Sequence, residues 1–254
     1  MSTVTSVAVV VPARDEELVL ADCLGSLEAA RQELHRHRPD VRVQVLVVLD
    51  RCLDGSASVV ARQPGVESLM VSAGCVGTAR ATGASHVLSG YDTHDQLWLA
   101  STDADTVVPA HWLVTQVELA ENGWDLVLGT VEPHDLDDHL LGRWARRHRL
   151  LDGHPHVHGA NLGVRASRYV EVGGFPGVAL HEDVLLVEAV KATGAPWLAT
   201  DTTRVRTAGR LDARVTGGFA TYLRDLADAV TTPDPAVHPV TVLTPTATTP
   251  ALCD

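Results

Sequence analysis

Two carboxylates one residue apart close an apolar run, Leu97-Trp98-Leu99-Ala100-Ser101-Thr102-Asp103-Ala104-Asp105. Side chains alternate along an extended chain, so Asp103 and Asp105 are expected to point one way and Ala104 the other. Like charges held that close repel unless a cation or a hydrogen-bonding ligand lies between them. A hard divalent ion such as Mg²⁺ or Mn²⁺ suits such a pair, because it prefers oxygen ligands and takes part of its shell from substrate phosphates. The competing local reading is a pair of acids capping the turn before the next helix, since Thr106-Val107-Val108-Pro109 follows. Other acids also stand at the ends of apolar runs. Val7–Val11 leads into Pro12-Ala13-Arg14-Asp15-Glu16-Glu17, and the run from Val41 to Leu49 ends in Asp50. Further on, His181-Glu182-Asp183 precedes an apolar run, where Asp183 also fits as a helix cap. Arg204, Arg206 and Arg210 bring three guanidinium groups close together late in the chain.

These groups need a scaffold, and the hydrophobic pattern supplies one. Val7–Val11, Val41–Leu49, Glu67–Val71 and the run from Leu97 are short, apolar and without alternation, as parallel strands covered on both faces are. Helical patterns lie between them: about Leu18 to Leu34, Ser58 to Arg62, and a segment ending at Leu88 that opens in Gly74-Cys75-Val76-Gly77-Thr78-Ala79-Arg80. The first helix would carry Asp15 and Glu16 in its first turn, where its dipole favours acids. Strand and helix alternating in this way imply a doubly wound, mostly parallel sheet, and such sheets bind ligands beyond the carboxyl ends of their strands.

The second half changes character. Trp124–Val131 reads as a further strand, and Leu140–Leu151 as a basic amphipathic helix with Leu140, Leu141, Trp144, His148 and Leu151 on one face. That stripe suits a core; attraction of the arginines to an anionic substrate or a membrane surface is the alternative. His156 and His158 have the spacing of metal ligands but lack a third partner nearby, and a turn placing Asn161 is the preferred reading. Val205 and Arg206 fit a strand, and Tyr222–Val230 a last helix. One domain over 1–230 is expected, with the Thr/Pro-rich 231–254 as a disordered tail.

The composition limits the choices. A formal charge of −12 argues against a nucleic-acid-binding surface. Lys191 is the only lysine, and no P-loop is present. Four cysteines without Cys-x-x-Cys spacing indicate neither a zinc knuckle nor a disulfide framework, so a reduced, cytoplasmic chain is the expectation. No secretory signal is visible and no apolar run reaches the roughly 18 residues of a membrane span, which leaves only peripheral membrane contact.

The order of these motifs resembles the inverting family 2 glycosyltransferases of the GT-A fold. The resemblance runs from the Pro12–Glu17 loop through Asp50, Gly77-Thr78-Ala79-Arg80 and Asp103-Ala104-Asp105 to Gly159-Ala160-Asn161, Gly173-Gly174-Phe175 and Glu182-Asp183. It covers roughly residues 7 to 210. His181 departs from the small or acidic residue usual at its place.

The resemblance implies a nucleotide-diphospho-sugar transferase-like fold and a sugar passed from a nucleotide sugar to a hydroxyl acceptor. UDP is the favoured carrier and GDP the second. Pro12, Ala13, Arg14, Glu16, Asp50, Arg80, Asp103 and Ala104 would bind the nucleotide sugar, and Asp105 the Mg²⁺ or Mn²⁺ ion. Asp183 would be the general base. Gly159, Ala160, Asn161, His181 and Glu182 would line the sugar and acceptor site, and Arg206 and Arg210 would contact phosphate.

Other readings compete. A haloacid-dehalogenase-like phosphatase shares the Asp-x-Asp-x-Thr pattern but needs a lysine, for which Lys191 is the sole candidate. A nucleotidyltransferase would begin with a Gly-rich loop, and Val11–Glu17 has no glycine. A non-catalytic nucleotide-sugar-binding protein would keep the pocket without turnover.

Overall fold

The computed structural model describes residues 3–148, 150–210 and 219–228. The β-branched runs form strands β1 (Ser6–Ala13), β2 (Arg42–Asp50) and β3 (Val66–Val71), with β4 at Leu97–Ser101. Helices α1 (Leu20–His37), α2 (Ser56–Ala61) and α3 (Val76–Leu88) connect them. The second half adds β5 (Thr106–Val107), α4 (Trp112–Glu121), β6 (Leu126–His134), α5 (Asp138–Arg147), β7 (Leu162–Arg165), α6 (Ala166–Glu171), α7 (Glu182–Ala192), β8 (Trp197–Ala208) and α8 (Phe219–Asp228).

The strands join in one eight-stranded sheet of order β3-β2-β1-β4-β7-β6-β8-β5. The β1–β2, β1–β4, β2–β3 and β6–β8 pairs are parallel. The later half brings in antiparallel pairs, β4–β7, β6–β7 and β5–β8. Hence β7, read from sequence only as part of a turn, is the strand that joins the two halves of the sheet.

Each face of the sheet carries its own core. Val7, Val9 and Val11 of β1 pack with Leu20, Leu24 and Leu27 of α1 and with Trp112 and Leu113 of α4. Ala8 and Val10 turn to the other face, among Ala79 and Ala84 of α3 and Leu186 and Val187 of α7. This division by parity is what a doubly wound sheet requires of an unalternating strand. The α3 side packs so closely that a Cβ at Gly83 would lie 2.6 Å from Val48 Cγ2.

A third, smaller cluster joins α5 to α8 through Leu140, Trp144, Leu223 and Leu226. The basic helix therefore turns its apolar stripe inward, with Arg146 and Arg147 exposed. It ends at Arg147, and His148 caps it rather than extending the stripe to Leu151. No described helix is long and apolar enough to cross a membrane. Among the described residues Cys23 and Cys52 are free thiols. The segment 231–254 lies outside the described residues.

Candidate active site

The carboxyl ends of β1, β2 and β4 open onto a cleft of about 880 Å³, walled on its other side by the Gly159–Asn161 turn and the start of α7. Pro12, Ala13, Arg14, Glu16, Asp50, Arg80, Asp103, Ala104, Asp105, Gly159, Ala160, His181, Glu182, Asp183 and Arg210 all line it. The β1 loop is cross-braced to the β2 loop. Asp15 accepts the Leu53 N–H at 2.7 Å, Asp54 accepts that of Glu17 at 2.9 Å, and Glu17 accepts that of Gly55 at 2.6 Å. Asp15 and Glu16 therefore precede α1 rather than filling its first turn, which begins at Leu20. Asp50 accepts the Gly74 N–H at 3.0 Å and closes the β2 end of the cleft.

Asp103 and Asp105 lie past the end of β4, in a turn where the Thr106 N–H donates to the Asp103 carbonyl at 3.1 Å. The expected extended geometry is thus replaced by a turn, yet both carboxyls still reach the cleft. Asp105 accepts from the Thr207 hydroxyl at 3.1 Å and lies 3.4 Å from Arg210 Nη2. Arg210 also pairs with Glu16, its Nη1 donating at 3.1 Å. Burial, then the neighbouring Asp103 charge, pushes Asp105 up to about 6 despite Arg210. A carboxylate so disfavoured in its ionised form, next to a second one, is a site that a divalent ion relieves. The donor set of carboxylates and a hydroxyl fits such an ion.

Arg80 ties the cleft together. It is buried, with Nη2 2.5 Å from Asp103 Oδ1, Nε 3.2 Å from Glu182 Oε1, and a further bond to the Ser101 hydroxyl. Its guanidinium lies 5.8 Å from the centre of the Phe175 ring. The residue expected to bind the nucleotide sugar is therefore engaged with carboxylates, and it fixes the end of β4 against the start of α7. Glu182, expected at the sugar, is buried against Arg80, and burial raises its pKa. A Cβ at Gly159 would fall 2.7 Å from Arg80 Nη2, so the absence of a side chain there makes room for this tie.

Asp183 follows immediately. Its Oδ2 accepts the Gly159 N–H at 2.7 Å and its Oδ1 the Val184 N–H at 2.8 Å. Two backbone donors fix the carboxylate and leave further lone pairs facing the cleft. His181, just ahead of α7, holds a left-handed backbone at φ 63° and lines the same wall.

Two expected residues lie off the cleft wall. Asn161 is buried, accepting from Trp112 Nε1 at 2.9 Å and donating to the Thr130 and Thr203 carbonyls at 2.8 and 2.7 Å. Its amide holds the turn that presents Gly159, rather than a sugar. Arg206 lies on β8 with its side chain exposed and does not line the cleft. Strand alternation gives the inward position to Thr207, which the sequence reading missed. His158, Phe219 and Tyr222 also line the cleft unannounced. Lys191 lies at the end of α7 with its Nζ 4.0 Å from the centre of the Trp197 ring, away from the cleft, so the phosphatase reading lacks its cation.

The chain matches the family described as glycosyl transferase family 2 over residues 8–165. Among solved structures it is similar to S. aureus TarS residues 1–349, at 12% identity and a TM-score of 0.59, covering 87% of this chain and 69% of that one. It is also similar to the mannosyltransferase PcManGT from Pyrobaculum calidifontis, in complex with GDP-Man and Mn²⁺. That match has 21% identity and a TM-score of 0.56, covering 80% of this chain and 56% of the other. Glucosyl-3-phosphoglycerate synthase from Mycobacterium tuberculosis, in complex with Mn²⁺, UDP and phosphoglyceric acid, matches at 13% identity and a TM-score of 0.54. There the coverage is 91% of this chain and 80% of that one. No curated protein sequence matches significantly.

Proposed function

We propose, given that the chain belongs to glycosyl transferase family 2, that this cleft transfers a sugar from a nucleotide sugar to a hydroxyl acceptor with inversion. The carrying observation is that Arg80 joins Asp103 to Glu182, so that the acidic pair of the β4 turn and Asp183 face one cleft. Asp105, with Asp103 beside it, would hold Mn²⁺ or Mg²⁺, which when bound supplies positive charge to the departing diphosphate. Arg210, already beside Asp105, would supply a second positive charge to that leaving group. Pro12–Glu16 and Asp50, which line the same cleft, would hold the nucleotide.

Asp183 would take the proton of the acceptor hydroxyl as that oxygen attacks the anomeric carbon from the face opposite the diphosphate. One base and no covalent intermediate give inversion. A UDP-sugar is the favoured donor and a GDP-sugar the second; among the similar structures, complexes with UDP and with GDP-Man both occur. Residues 1–230 would act as one catalytic domain, with 231–254 a tail, in the cytoplasm.

Replacing Asp183 by Asn tests the role. Turnover is expected to fall by about 10²–10⁴-fold, while calorimetric binding of the nucleotide sugar persists. Unchanged turnover would remove Asp183 from the role. A binding protein without turnover is distinguished by whether nucleoside diphosphate is released when donor, metal and acceptor are all present.

A further inference from the structure

Flat rings wall the acceptor end of the cleft. His158 stands one residue before Gly159, whose N–H holds Asp183. Its ring meets Phe219 edge-on at 6.4 Å, Phe219 stacks on Tyr222 at 6.5 Å, and Tyr222 meets His148 edge-on at 5.3 Å. His148 and His156 close the circuit back to His158 at 5.1 and 6.0 Å. His158, Phe219 and Tyr222 line the cleft, and the transfer step uses none of them.

This wall is uncharged at neutral pH. Burial, and secondarily the neighbouring imidazoles, hold His156 down at about 4 and His158 at about 3, and His148 is lowered as well. Arg80 is compensated by Asp103 and Glu182, while Arg147 stands as a cation beside the Tyr222 hydroxyl, at one edge of the rings. Asp183 presents its carboxylate on the facing side. An anionic group seated between the two would face that carboxylate and the uncharged rings, with Arg147 only at their edge. A pyranose fits both sides, since its C–H face packs on rings while one hydroxyl donates to the Asp183 carboxylate.

We infer that His158, Phe219 and Tyr222 form a platform that takes a neutral pyranose unit face-on, turning one hydroxyl to Asp183, and that disfavours phosphorylated or carboxylated acceptors. This rests on the transferase reading above and names the acceptor class for it. Saturation-transfer NMR on the full chain with Mn²⁺, and with UDP or GDP in the same tube, tests it. The probes are methyl α-mannopyranoside and methyl β-glucopyranoside, with 3-phosphoglycerate as the anionic competitor.

Irradiating the aromatic band is expected to transfer saturation to pyranoside C–H protons, and 3-phosphoglycerate should leave that signal in place. Phe219→Leu keeps the apolar bulk but removes the ring, and should lower the signal by about three- to tenfold. Tyr222→Leu should do the same, and a retained nucleotide signal in both variants marks them as folded. Equal pyranoside signals in wild type and variants, or displacement by 3-phosphoglycerate, would overturn the platform. Pyranoside silence with a nucleotide signal overturns the platform alone; silence of both nucleotides as well overturns the transferase reading and the platform with it.

Discussion

Asp105 shows most directly how a residue's surroundings set its chemistry. Its carboxyl is raised to about 6 first by burial and then by Asp103, so an ionised Asp105 at neutral pH opposes folding of the metal-free chain. Between its unfolded value of 3.8 and about 6 the folded state binds more protons than the unfolded one. This contribution to stability is therefore present at low pH and is lost as pH rises through that window. Asp105→Asn removes the opposition, and is expected to raise metal-free stability at pH 7 by about 1–3 kcal/mol. The gain should vanish near pH 4, and the same variant should lose metal-dependent nucleotide binding. Thermal melts at the two pH values, with calorimetry for Mn²⁺, check this; a variant no more stable than wild type at pH 7 counts against the assigned environment. The types and order of Asp103, Asp105 and Asp183 were legible in the sequence. The engagement of Arg80 and Asn161 was not, because hydrogen bonds between residues 21 to 102 positions apart leave no mark on local pattern.

At the scale of elements, the first half followed its hydrophobic period closely, because strands covered on both faces need unbroken β-branched runs. The second half was harder: β7 has only four residues and β5 only two, too short for a period to register. The stripe on α5 was legible, but its partner α8 was not. Trp144 stacks on His148 at 4.6 Å and is buried against Leu223 and Leu226 of α8. Trp144→Ala should cost about 3–5 kcal/mol of local packing, read as faster hydrogen exchange confined to α5 and α8, with the main sheet unchanged. Trp144→Phe should cost far less, since the buried indole N–H has no hydrogen-bond partner among the described residues. Uniform acceleration across the sheet would show that the small cluster is not a separate unit.

For the molecule as a whole, two opposing titrations shape stability in acid. His156 and His158, held by burial at about 4 and about 3, bind protons more readily when unfolded, where 6.5 is their ordinary value. Their contribution is fully present above 6.5 and is lost as pH falls below it. Asp105 acts in the opposite sense over 3.8 to 6, so Asp105→Asn should lose stability on acidification more steeply than wild type. Melting curves from pH 7.5 to 4.5 check this, and parallel curves for the two proteins would contradict it. By itself the sequence determined the parallel half of the sheet, the acids at its strand ends and the family, since these depend on hydrophobic period and short spacings. Only the tertiary structure decided that β7 joins the two halves of the sheet, that Arg80 locks the cleft, that Thr207 rather than Arg206 faces it, and that imidazoles and α8 wall one end of it. Those outcomes depend on which distant segments share buried space, and burial is what sets both the partners and the charge of each group.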